Sequence, residues 1–169
     1  MQHGDDLILK RMKRRHLARD VIRFCDEARR RRPDVVFGAD VIAGFPTETE
    51  AAHQASLDLI EAAGITHLHV FPYSSRAGTP AAHMPQLAPA LIKRRAFDLR
   101  AVGTRRLGAF LDAAVGSSDQ LLVEAGNRGH GRQFCKIRLD GPLMAAGQLV
   151  DVEITGRDGT SLVGRVTGV

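Results

Sequence analysis

Residues 35–71 read VVFGADVIAGFPTETEAAHQASLDLIEAAGITHLHVF. The apolar run 35–43 stops at Gly44, and a Gly-Phe-Pro step and an acid-rich Thr-Glu-Thr-Glu follow. From 48 to 63 the pattern turns amphipathic, with Ala52, Ala55, Leu59 and Ile60 on one side and Gly64 as C-terminal punctuation. A second apolar run covers 65–71. This is strand, helix, strand. Near-continuous apolar runs predict parallel strands buried on both faces, joined by a right-handed crossover.

Upstream, residues 6–14 and 17–32 predict two helices. The second places Leu17, Val21, Phe24, Cys25 and Ala28 inward and stops at Pro33. No strand leads into the first helix, and two or three strands are too few to close a barrel. The α/β part therefore reads as the back end of a larger parallel β/α domain. Downstream, residues 72–90 form a long loop rich in Pro, Gly, Ser and Ala. Residues 87–115 predict an amphipathic helix with Leu91, Ile92, Leu99, Val102, Leu107, Phe110 and Leu111 inward and its Arg and Lys outward. After Gly116 four short alternating segments, QLLVEAG, QFCKIRL, QLVDVEITG and SLVGRVTG, are broken by turn signals. They predict a small antiparallel β-barrel comparable with oligonucleotide-binding barrels. The expected division is 1–115, a partial α/β domain, and 116–169, the small barrel.

The chain has 169 residues, average hydrophobic content and a quarter of its residues charged, which excludes a disordered polyelectrolyte. No apolar run approaches bilayer length, and MQHGDDLILKRMKRR lacks the core of a signal peptide, so the cytoplasm is the expected compartment and no membrane partner is expected. The net charge of +5 is uneven: residues 1–32 hold eleven Lys/Arg against five Asp/Glu, whereas 117–169 hold six of each. A polyanion such as RNA is one explanation, and solvated helix faces are the other. The two cysteines, Cys25 and Cys135, are far apart and read as buried packing residues; two thiols are too few for an iron–sulfur cluster.

The GFPTETE loop lies at the carboxyl end of a parallel strand, where α/β folds bind ligands. Gly44 permits close backbone approach, Pro46 stiffens the turn, and Glu48 either caps the next helix or accepts hydrogen bonds from a ligand. His67 and His69 share one strand face, as two metal ligands without an obvious third or as polar lining of a barrel interior. Tyr73 and Arg76 follow the second strand, either as an ordinary exposed loop or as a ring and a guanidinium for a base and its phosphate. Lys136 and Arg138 alternate on a strand with Arg128 and Arg132 nearby, as a solvated rim or an RNA-facing surface. The glycine-rich stretch 126–132 reads as a mobile binding loop.

QHGDDLILKRMKRRH, DVIAGFPTETEAAH and THLHVFPYSSRAGTPAAHMP, in that order, resemble the radical S-adenosylmethionine tRNA methylthiotransferases, most closely the branch acting on N6-threonylcarbamoyladenosine at position 37 of tRNA. The last 50 or so residues resemble the OB-like RNA-binding barrel, the TRAM domain, appended to that family. The resemblance implies the C-terminal part of a radical S-adenosylmethionine partial TIM barrel followed by that domain. In the family, a four-iron four-sulfur cluster held by C-x-x-x-C-x-x-C cleaves S-adenosylmethionine, and a second cluster assists sulfur delivery to C2 of the adenine. No such cysteine motif and no N-terminal domain stand in this sequence.

By resemblance, Gly44, Phe45, Pro46 and Glu48 lie beside the adenosyl group, and Gln2, Gly4 and Asp5 near the ribose and amino-acid end. Arg14 or Arg15 pairs with the cofactor carboxylate; Tyr73, Ser74 and Arg76 lie near the reacting base. Thr47 stands where Gly is common, and Ser75 where Pro is common. What the resemblance implies is part of an S-adenosylmethionine pocket and a tRNA platform, with no catalytic residue and no metal ligand in this chain. Its partners would be tRNA and the N-terminal half of the enzyme. The rival reading is a non-catalytic RNA-binding protein; a stand-alone binder of S-adenosylmethionine is the weakest.

Overall fold

A computed structural model describes residues 1–168 and resolves the chain into two compact units, Met1–Arg106 and Leu107–Val169.

The first unit contains α1 (Asp6–Arg11), α2 (Ala18–Arg31), β1 (Phe37–Ala43), α3 (Glu50–Ala62) and β2 (Ile65–Pro72), then a 3₁₀ turn at Pro80–His83. Each helix start has a local cause. Asp5 caps α1 by accepting from Ile8 N–H at 2.9 Å, and Thr49 caps α3 by accepting from Ala52 N–H at 3.1 Å. The α3 helix ends at Gly64 in the left-handed region, φ 62°, where Arg29 donates to the terminal carbonyls of Ala63 and Gly64.

β1 and β2 pair in parallel, with Asp40 opposite His69 and Ile42 opposite Phe71. Ala39, Val41 and Ala43 pack with Cys25 of α2, with Leu59, Ile60 and Ala63 around α3, and with Ala96, Leu99 and Val102 further along the chain. One reading of the sequence is corrected here. The apolar run 35–43 is not buried on both faces: it alternates, with Gly38 and Asp40 exposed and Ile42 half-buried, while Ala39, Val41 and Ala43 enter the main helical core. Phe24 is likewise not an inward residue; its ring stands two-thirds exposed, edge-on to Phe37 at 6.3 Å.

The α4 helix (Pro89–Ala114) contributes to both units. Ala96, Leu99 and Val102 belong to the first core, and Leu111 to the second. The second unit is a closed five-stranded barrel of β3 (Ser118–Ala125), β4 (Arg128–Gly131), β5 (Lys136–Asp140), β6 (Leu149–Asp158) and β7 (Ser161–Gly168), in the order β3-β4-β5-β7-β6. All pairs are antiparallel except β5–β7, which is parallel. Alternate residues fill the interior: Leu121, Val123, Ile137, Leu139, Val150, Val152, Ile154 and Leu162.

The stretch expected to be a mobile loop, 126–132, is largely strand β4. Gly126 and Asn127, at φ 54° and 57°, make the two-residue hairpin turn into it. Gly129 and Gly131 are buried in the ladder, and a Cβ on Gly129 would sit 1.8 Å from the Leu122 carbonyl oxygen. The glycines mark close strand approach rather than mobility.

Candidate functional site

The GFPTETE loop is built around Glu48. Gly44 turns the chain at φ 75°, in space that Ile92 leaves too small for a Cβ. The Glu48 carboxylate folds back beneath the turn, where Oε2 accepts from the N–H groups of Gly44 at 2.7 Å and Phe45 at 2.9 Å. Its side chain is buried, and so is its cation: Arg95 Nη1 lies 3.2 Å from Glu48 Oε1 and donates to the Glu48 carbonyl at 2.9 Å. His3 and His53 flank the carboxylate at 3.5 and 3.6 Å, and His53 Nε2 lies 3.3 Å from Asp98. A buried carboxylate is tolerable only with such partners.

Arg95 was expected outward with the other α4 basic residues; it is 2 % exposed because Glu48 and Glu50 draw it in. The hydrogen bond from Arg95, with help from the nearby Arg94, outweighs the upward push of desolvation and holds the Glu50 carboxyl below its ordinary pKa. Thr47 sits at φ 67°, a conformation that strains a β-branched residue, and its hydroxyl accepts from Arg11.

Next to this loop opens a cavity of about 510 Å³ lined by Gln2, Arg14, Asp40, Ile42, Phe71, Pro72, Tyr73, Ser74, Arg76, Thr79 and Ala81. It gathers five residues singled out in the sequence: Gln2, Arg14, Tyr73, Ser74 and Arg76. Between the two candidate arginines, Arg14 lines the cavity and Arg15 does not. The other candidates lie outside the lining. Gly4 is pressed against α3, donating to Ser56 Oγ at 2.9 Å, and a Cβ at this position would fall 2.2 Å from the Ala55 carbonyl oxygen. Asp5 is the α1 cap. Gly44, Phe45, Pro46 and Glu48 form the layer beneath, with Phe45 edge-on to Tyr73 at 5.4 Å.

Tyr73 is therefore a half-buried wall, and its buried hydroxyl has no partner among the described residues. Asp40 was missed by sequence reasoning, although a lone carboxylate inside an apolar run is a visible signal. The polar lining offers arginines to a carboxylate or phosphate, and Asp40 and Gln2 to hydroxyl and amino groups.

His67 and His69 point to the same open sheet face as Asp40. Among the described residues no three His, Cys, Asp or Glu side chains come together as a metal site. Cys25 and Cys135 are both buried, one in each unit. Burial raises both thiols, Cys135 to about 11 with help from Asp119.

On the barrel, a groove of about 430 Å³ is lined by Arg128, Lys136 and Arg138, with Glu124, His130, Asp158 and Ser161 beside them and Gly129 and Ile137 also in its wall. Burial of Ile137 and Leu139 sends the intervening Arg138, and Lys136 before it, to the outer face. Arg132 lies outside the groove, bonded to Asp119 at 3.1 Å. Arg138 bonds Asp140, whereas Arg128 and Lys136 have no carboxylate partner among the described residues.

No family model matches the chain. It is 47 % identical over 156 residues to threonylcarbamoyladenosine tRNA methylthiotransferase MtaB of Rickettsia prowazekii, covering 92 % of this chain and 37 % of that protein. It is 40 % identical over 173 residues to the tRNA-2-methylthio-N(6)-dimethylallyladenosine synthase of Jannaschia sp., covering 98 % and 37 %. The synthase of the same name from Ruegeria pomeroyi is 38 % identical over 172 residues, covering 98 % and 39 %. The chain spans about two fifths of the length of the curated relatives it matches.

Proposed function

We propose, on the premise that this chain is a homologue of tRNA methylthiotransferases over nearly its whole length, that it is the C-terminal portion of such an enzyme and handles tRNA through two surfaces. The observation that carries this reading is the 47 % identity to the threonylcarbamoyladenosine enzyme over 92 % of the chain, which also favours N6-threonylcarbamoyladenosine over the dimethylallyl nucleoside as substrate.

In this reading the first unit is part of a radical S-adenosylmethionine barrel, and the open face carrying Asp40, His67 and His69 is part of the barrel interior. When bound, S-adenosylmethionine on a cluster supplies the radical and methyl chemistry, and that cluster needs thiolates from outside this chain. The chain's own residues bind and orient. Arg14 is the cofactor-carboxylate partner, Gln2 and Asp40 receive its hydroxyl and amino groups, and Tyr73, Ser74 and Arg76 face the target base. Gly44, Phe45, Pro46 and Glu48 set the loop from beneath, while Gly4 and Asp5 fix the segment that carries Gln2. Arg15 lies beyond this set. The second unit is a TRAM-like barrel whose Arg128, Lys136 and Arg138 hold tRNA phosphates, with Arg132 at their margin.

The test is nucleoside mass spectrometry of tRNA from cells lacking the gene. Loss of 2-methylthio-N6-threonylcarbamoyladenosine with the dimethylallyl derivative intact is the expected result; the reverse overturns the substrate assignment. The purified chain alone, given S-adenosylmethionine, reductant and tRNA, is expected to form no methylthio product while still binding tRNA. The barrel groove lined by Arg128 and Lys136 is the observation favouring the rival reading of a non-catalytic RNA-binding protein. A native product near 18 kDa in cell extract, with no loss of either nucleoside on deletion, would select it.

A further inference from the structure

The β4–β5 hairpin tip carries an aromatic ring where a barrel has no structural use for one. Phe134 is 74 % exposed. Its backbone stands at φ 62°, the left-handed region that bulky side chains avoid, fixed by its N–H donating to the Gly131 carbonyl at 3.0 Å. The ring is nonetheless ordered against a neighbour: it stacks on His130 with centroids 4.8 Å apart and planes 24° from parallel. His130 is in turn held by Glu124, 2.7 Å from its Nδ1.

His130 also lines the groove that contains Arg128 and Lys136, the two cations without carboxylate partners among the described residues. Ladder pairing sets His130 between Leu122 of β3 and Lys136 of β5, and Leu122 faces Leu149 of β6. The outer surface thus presents an apolar and aromatic row ending in positive charge.

We propose that Phe134, backed by His130, is a stacking platform for an unpaired base of RNA, whose adjoining phosphates lie against Lys136 and Arg128. An aromatic face beside cations is how proteins hold single strands, because every base has a π-face and every linkage a charge. Duplex RNA hides its base faces in the stack, so this platform distinguishes strands that are open from strands that are paired. The cations favour RNA over an apolar protein segment as occupant. The inference rests on the reading of the barrel as an RNA-binding unit and adds to it where a base stacks and which form of RNA is preferred.

The chain has no tryptophan, so Phe134→Trp installs one reporter at this position. The full chain is titrated with a labelled single-stranded RNA of about a dozen nucleotides, and with the same sequence as a duplex, following both anisotropy and tryptophan emission. The single strand is expected to quench Phe134→Trp emission with an affinity within about twofold of the unsubstituted chain, and the duplex to leave emission unchanged. Phe134→Ala is expected to weaken single-strand binding roughly tenfold with no change in its salt dependence. Binding without quenching, with Phe134→Ala binding as tightly as the parent, overturns the platform while the RNA-binding reading stands. Equal quenching by duplex and single strand also overturns it. No binding of either RNA at low salt overturns both. Should Phe134→Ala fail to fold, the emission of Phe134→Trp decides alone.

Discussion

At position 48 the sequence left two roles for one carboxylate, capping the next helix or meeting a ligand, and in the structure it is buried and is not the cap. Thr49 takes the cap, and Glu48 turns inward to hold two loop N–H groups and Arg95. This was illegible because the partner lies 47 residues away on a helix whose other basic residues do face solvent. Charge pairing at that range leaves no periodic trace. Glu48→Gln keeps the shape but removes the buried one of the two carboxylates that face Arg95, leaving it Glu50 and the residue 48 carbonyl, so it is expected to cost the first unit about 3 kcal/mol. Glu48→Gln combined with Arg95→Met should cost less than the sum of the two singles, read as urea midpoints in a double-mutant cycle.

The cysteines were legible from their apolar context alone. With Cys135 pushed up to about 11, roughly one thiol in a thousand is thiolate at pH 8. Iodoacetamide at that pH is expected to leave both cysteines unmodified in the native chain and to label both in concentrated urea, as read by mass spectrometry. The linkage sign follows from a raised folded value: Cys135 binds its proton more tightly when folded. Its contribution to stability is therefore intact below the ordinary thiol pKa and lost as pH rises toward 11. Alkaline melting curves of the native chain should show that decline.

Among the elements, the helices, β1 to β3 and β5 to β7 followed from periodicity and turn chemistry with ends displaced by a few residues. Two readings failed for identifiable reasons. The run VVFGADVIA looked doubly buried because Phe37, Val41 and Ile42 hide an alternation that only Gly38 and Asp40 reveal. The β4 strand was missed because Arg-Gly-His-Gly has the composition of a loop. Glycine here serves the approach of two strands, and that need is set by the barrel's closure rather than by local propensity. Gly129→Ala forces a Cβ to within 1.8 Å of the Leu122 carbonyl oxygen, and a backbone neighbour cannot swing away as a side chain can. The variant is expected to lose about 2 kcal/mol of barrel stability, measured by thermal melting, with the β3–β4 amides losing hydrogen-exchange protection first.

For the whole molecule, the sequence places a division at 115/116, where composition changes. The compact second unit begins at Leu107, and the last turns of α4 supply Leu111 to the barrel core and Leu107, Phe110 and Ala114 to its margin. Composition marks where strands begin; a core boundary falls wherever the last buried side chain comes from. The same distinction governs charge. The run Ala-Arg-Arg-Arg-Arg is the densest of the basic stretches, yet Arg30 and Arg31 both bond Glu27, Arg32 pairs with Asp34, and Arg29 caps α3. Those hydrogen bonds, Arg31 foremost and then Arg30, hold the Glu27 carboxyl below its ordinary range.

The barrel has no net excess, but Arg128 and Lys136 have no carboxylate partner among the described residues. A phosphate contact releases a counterion, so each one adds a fixed increment to the slope of log affinity against log salt concentration. On the proposed reading of the barrel as a tRNA-binding unit, neutralising Arg128 and Lys136 together is therefore expected to lower the magnitude of the tRNA-binding slope by about 1.4, taking single-strand increments. Arg30→Ala with Arg31→Ala, which removes the same formal charge from a neutralised cluster, should change it by less than about half that. Filter-binding titrations at four or more salt concentrations measure both. Equal slopes for the two double variants would show that net charge, and not its placement, governs the encounter with tRNA.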